Sequence, residues 1–177
     1  MKRLLIAIGV AALLVLGGIW LGIGSFTPGP KSDRLACHTE VTVFERWRTA
    51  EAREAPREAL QAGNYRLRGE QRFAQHMPTR LKGALSDEAI EEILIEAIGR
   101  APQPEQSPLE IHWGLVEDDK EDPNKRNPPR QHFAGYLLAS FVYDGQEVYR
   151  ILIDYLEYDA SDLPVRAECL IESFLTD

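Results

Sequence analysis

The chain has 177 residues, with 28 acidic against 20 basic side chains, for a net charge of −8 at pH 7. A surface this negative repels phosphate backbones, which argues against nucleic acid as a partner and points to basic proteins or cations. Two cysteines exclude a four-cysteine metal centre within one chain, and the residues beyond 26, about 150 of them, suffice for one domain.

Leu4 to Phe26, LLIAIGVAALLVLGGIWLGIGSF, carries no charge and follows Lys2 and Arg3. As a helix it would be about 34 Å long, enough to cross a hydrocarbon core of about 30 Å. The apolar run extends through Trp20 and Leu21, longer than the run of a cleaved signal peptide, so it reads as a retained anchor. Gly22 and Gly24 before Ser25 keep the cleaved alternative open. Lys2 and Arg3 place residues 1–3 in the cytoplasm by the positive-inside rule, weakened by Lys31 and Arg34 on the other flank. The expected location is a single pass through the inner (cytoplasmic) membrane. The C-terminal domain would face the periplasm, or the exterior of a one-membrane cell.

Thr27-Pro28-Gly29-Pro30 cannot continue a helix, and 27–38 reads as a linker into a domain at 39–177. Cys37 and Cys169 form an even count that in an oxidising compartment invites a disulfide. Such a bridge would stabilise the fold by roughly 4–5 kcal/mol in the chain-entropy account. The alternative is a free, buried Cys169.

Glu40 to Gln61 is rich in Ala, Glu and Arg. Val41 and Val43 permit a short strand first, and from Arg46 onward the composition predicts a helix, interrupted at Pro56 and stopped at Gly63-Asn64. Tyr65 to His76 is compatible with an edge strand or with a second helix. Ser86 caps a predicted helix whose Ile90, Ile93, Leu94, Ala97 and Ile98 form one apolar stripe, ended by Gly99 and Pro102. From Leu109 the period changes to two, which predicts strands at 109–116, 133–143, 147–158 and 164–175. Asp144-Gly145 is the two-residue signal of a hairpin turn.

This order predicts an α+β domain, helices packed on one face of a curved four-stranded antiparallel sheet. The architecture resembles that of cystatin-like and NTF2-like cone folds. Some bacterial secretion-system components pair such a cone with a single N-terminal anchor. The resemblance is carried by element order rather than by a motif, and what it implies, a component of an envelope assembly, is implied by analogy.

Three groups of residues are candidates for function. With no bulge in the hairpin, Gly135 shares a sheet face with Arg150 and Asp154 and leaves room opposite Asp154, a candidate ligand pocket. Alternatively, Arg150 and Asp154 form a pair on the outward face. The long loop that opens at Glu117 runs acidic and then basic: Glu117, Asp118, Asp119, Glu121 and Asp122, followed by Lys125, Arg126 and Arg130. It is a candidate partner-docking loop, or else a solvated tip. Its spacing lacks the pattern of a calcium loop, and His38, His76, His112 and His132 show no ligand spacing, so no metal is expected. Nor is any cofactor expected.

No nucleophile elbow, phosphate-binding loop or dinucleotide fingerprint occurs, so the sequence leans away from an enzyme. The expected function is a membrane-anchored periplasmic protein-interaction domain, an accessory or structural part of an envelope assembly, able to oligomerise. The alternatives are an acidic inhibitor or immunity-type protein that binds a basic partner, and a small-ligand-binding domain.

Overall fold

In the computed structural model, residues 35–48, 53–103, 107–125 and 133–176 are described. The predicted anchor at 4–26 lies outside them, and among the described residues no helix is long and apolar enough to cross a membrane. Five strands form one sheet: β1 (Val43–Trp47), β2 (Tyr65–Arg72), β3 (Leu109–Glu117), β4 (Gly135–Tyr143) and β5 (Gln146–Tyr155). Their spatial order is β1-β5-β4-β3-β2. The helices are α1 (Glu54–Ala62), α2 (Asp87–Ile98) and α3 (Leu163–Thr176). The fold is α+β as expected, but the sheet has five strands, not four, and it is mixed rather than antiparallel, because β2 runs parallel to β3. A parallel pair needs a crossover, and α2 supplies it.

Each departure from the expected elements has a cause in packing. The short strand permitted at Val41 and Val43 is β1, and it runs on through Arg46 and Trp47, where a helix is expected, because Trp47 and Val43 turn onto the buried face beside Tyr149 and Ile153 of β5. Trp47 lies against Tyr149 and Phe174, with ring centroids 4.6 and 5.2 Å apart. Packing of this apolar area outweighs the helix propensity of the flanking Glu and Arg. The helix α1 begins at Glu54, and Pro56 sits in its first turn, where its missing N–H costs nothing, rather than interrupting it. Gly63 then closes α1 at φ 82°.

The segment expected as a fourth strand, 164–175, is α3. Val165, Ala167, Cys169 and Ile171 do alternate, but Leu163, Ala167, Leu170, Ile171 and Phe174 also recur at helical spacing, and Pro164 suits a first helical turn. The helical stripe buries more: Phe174 stacks on Phe141 at 4.0 Å between centroids, with planes 9° apart. By contrast α2 is as expected. Ser86 accepts a hydrogen bond from the Ala89 amide at 3.2 Å, Ile90 and Leu94 are buried, and Gly99 caps the end at φ 73°.

One core joins the three helices to a single sheet face. That face carries Leu109, Ile111, Trp113 and Leu115 of β3, Leu137, Ala139 and Phe141 of β4, and Tyr149, Ile151, Ile153 and Tyr155 of β5. Trp113 crosses β2 at Gly69, where a Cβ would lie 2.1 Å from the indole, so only glycine fits under the ring.

Candidate functional site

The β4–β5 turn has the positive φ values of a type I′ hairpin, 48° at Asp144 and 77° at Gly145. A bulge between Phe141 and Val142 then shifts the register by one residue. One residue of slip turns every later side chain to the other face. Arg150 and Asp154 therefore pair with Ser140 and Tyr136 on the outer face, while Gly135 pairs with Tyr155 on the core face. This corrects the expected shared face of Gly135, Arg150 and Asp154. Gly135 makes room for its neighbours instead: a Cβ there would lie 2.0 Å from the Val116 carbonyl and 2.6 Å from Tyr155 Oη. The Arg150 guanidinium donates to Ser140 Oγ at 3.1 Å and pairs with Glu147.

The acidic loop also turns inward at its root. Glu117 is 4% exposed, and its carboxylate accepts from the Ala74 amide (3.0 Å), the Thr79 hydroxyl (2.5 Å), the Arg80 amide (2.7 Å) and the Leu81 amide (3.4 Å). Burial alone would raise its pKa, but these donors outweigh burial and hold it below the ordinary value. Asp119 accepts from the Gln75 and His76 amides at 2.7 and 2.8 Å and from the His76 ring at 2.8 Å. Against an opposing burial effect, these bonds bring its carboxyl down to about 2. Asp118 is buried and paired with Lys125, and Asp122 accepts from the Asn124 amide at 2.8 Å. Glu121 is exposed, and Arg126 and Arg130 lie outside the described residues. Thus the root of the loop is a clamp: two carboxylates pin the 74–81 segment to the end of β3.

That clamp shapes a cavity of about 240 Å³ lined by Met77, Pro78, Arg80, Lys120, Glu121 and Tyr158. The guanidinium of Arg80 lies over the Tyr158 ring at 4.5 Å from its centroid, and Lys120 Nζ lies 5.0 Å from the same centroid while donating to Tyr158 Oη. No reading of spacing could find this site, because its residues come from three separate loops. Met77-Pro78 reads in the sequence only as a break.

Cys37 and Cys169 are joined by a disulfide that ties the turn Ala36–Thr39 to α3. His38 Nε2 lies 2.7 Å from Ser173 Oγ, which itself donates to the Cys169 carbonyl at 2.8 Å. The serine proton is thus committed to a carbonyl rather than to the imidazole, which is not the arrangement of an activated nucleophile. Among the described residues, Cys37, His38 and Cys169 are the one cluster with metal-ligand proximity, and the bonded sulfurs offer no thiolate. His76 and His112 contact Asp119 and Glu110, and His132 lies outside the described residues.

A further candidate surface is the outer face of the sheet. All three helices contribute to the core on the opposite side, and among the described residues no element covers this one. Two rows cross it. Arg68, His112, Ser140, Arg150 and Arg46 form one row, and Glu70, Gly114, Leu138, Leu152 and Phe44 form the next. Phe44 is 62% exposed, and a Cβ at Gly114 would meet nothing within 4 Å, so the apolar row is open at both its edge and its middle. Arg46 and Arg68 have no carboxylate within 4.0 Å among the described residues. The acids on the helical side, Glu58 of α1, Asp87, Glu88, Glu92 and Glu96 of α2 and Glu168 and Glu172 of α3, are exposed. The molecule is therefore polarised, acidic over its helices and rich in arginine over its open sheet face.

The chain matches no known protein family, no curated protein and no solved structure.

Proposed function

We propose that this chain is a membrane-anchored extracytoplasmic protein-interaction domain, an accessory or structural part of an envelope assembly, and that it binds its partner through the open sheet face. The observation that carries the reading is that face itself: a half-apolar surface flanked by a basic row, left uncovered by every described element. Exposed apolar area rimmed by charge marks contact surfaces more often than it decorates a monomer. The partner surface this face fits combines acidic with apolar groups. The apolar stretch 4–26 and the Cys37–Cys169 bridge support a tether and an oxidising compartment.

A photoreactive amino acid placed at Leu138 or Phe44 of the full chain in its native membrane tests the reading. The expected result is a discrete crosslinked protein, lost when Arg68 and Arg46 are both changed to Glu. Crosslinking from neither position, with adducts instead from exposed α2 positions, would overturn it. That second pattern, together with a one-to-one complex that dissociates in high salt, is the signature of the inhibitor-type reading, which the exposed acids of α2 favour.

A further inference from the structure

We propose that the cavity at Tyr158 is a binding site for a single carboxylate carried on a short apolar stem. In a chain with 28 acids, Arg80 and Lys120 meet around one ring with no carboxylate within 4.0 Å of either among the described residues. Among the described residues no side-chain hydrogen bond engages the Arg80 guanidinium above the ring, and an ammonium that gives one hydrogen to a phenol keeps two. The site therefore holds unused donors from two cations within a few ångströms of the same centroid. Glu121 is the one acid on the wall, so the lining carries a net single positive charge. That balance matches a monoanion and penalises a phosphoryl dianion. Met77 and Pro78 supply the apolar wall for the stem. A volume of about 240 Å³ lies below the range of pockets that hold drug-sized ligands, which favours a small occupant. The cavity is preorganised without ligand, because Glu117 and Asp119 hold the segment that bears Met77, Pro78 and Arg80 by its backbone amides.

The same chemistry comes from a free short-chain acid or from the C-terminus of a peptide. The full chain, in a mild non-ionic detergent and labelled with ¹³C at its methionine methyls, is titrated with butyrate. It has two methionines, Met1 and Met77, so one of two signals reports directly from the cavity wall. Butyrate should move the Met77 methyl saturably with a dissociation constant on the order of 1 mM, and Arg80→Gln and Lys120→Gln should each weaken it about tenfold. Inorganic phosphate at pH 8 should bind more weakly than butyrate, and Glu121→Gln should narrow that difference. A peptide ending in Ala-Ala with a free carboxylate, compared with its amide, separates the two sources. Tighter binding than butyrate, lost in the amide, assigns a peptide terminus; weaker binding than butyrate assigns a free acid. The proposal is overturned if the Met77 signal does not respond, if butylammonium or sodium chloride moves it equally, or if the two glutamine variants bind unchanged. Tighter binding of phosphate than of butyrate would overturn the assignment to a monocarboxylate.

Discussion

Replacing Glu117 by Gln changes the charge of one buried side chain while keeping its shape. Each of its carboxylate oxygens accepts two hydrogen bonds, one from the Ala74 amide and the Thr79 hydroxyl, the other from the Arg80 and Leu81 amides. A glutamine amide nitrogen must take the place of one oxygen, so in either orientation donors face a donor. With the nitrogen toward Thr79, the hydroxyl can rotate to accept and only the Ala74 amide is stranded. The loss is then one charge-assisted bond and a weakening of the others, about 2–4 kcal/mol in total. The assay is urea unfolding at pH 7 of a chain beginning at Arg34, followed by the fluorescence of Trp47 and Trp113. The midpoint should fall by about 1–2 M with the slope unchanged. The pH dependence follows from the direction of the shift. The folded carboxyl titrates below its ordinary value of 4.5. Its stabilisation is therefore complete above that value and is lost as pH falls through the folded pKa. The gap between Glu117→Gln and the parent should thus close in acid. A midpoint change below about 0.3 M at pH 7, or a gap that stays the same at pH 3, would refute the clamp.

Gly135→Ala should destabilise by about 2–3 kcal/mol, since its Cβ would lie 2.0 Å from the Val116 carbonyl, whereas Gly114→Ala, whose Cβ meets nothing, should be neutral or stabilise by up to about 1 kcal/mol. Opposite or equal effects in thermal unfolding would contradict the observed register. Replacing both Cys37 and Cys169 by Ser should cost about 5 kcal/mol, because the bridge closes a loop of 132 residues, and the oxidised parent should migrate faster than the reduced one on a denaturing gel. Tyr155 Oη is buried with no hydrogen-bond partner among the described residues. Burial, then the charges of Glu117, Asp162 and Asp118, push its pKa up. Tyr155→Phe should therefore keep or raise the melting temperature, and a loss of more than about 1 kcal/mol would reveal a partner for that hydroxyl.

The patterns with a strong local cause were legible from residues alone. Ser86 with an acidic first turn and an apolar stripe determines α2. Alternation determines β3, and Asp144-Gly145 determines the turn that begins the β5 strand. The α+β class follows from those elements, and the even pair of cysteines made a bridge available. Elsewhere the sequence was compatible with two states and only tertiary contact decided between them. Residues 164–175 carry both a period of two and a helical stripe, and Phe174 stacking on Phe141 selects the helix. Residues 43–47 stand among good helix formers, and the cluster of Trp47, Tyr149 and Phe174 selects the strand. Helix or edge strand at 65–72 was settled by pairing with β3, which no local signal encodes. The decisive case is the bulge after Phe141. Since the side-chain period of a strand is two, one extra residue moved Arg150 and Asp154 to the outer face and left Gly135 in the core. Long-range pairing also turned Glu117 and Asp119, which in sequence look like a solvated acidic run, into the anchors of another loop. A carboxylate's role depends on which amides reach it, and those of residues 74–81 are brought there only by the parallel pairing of β2 with β3.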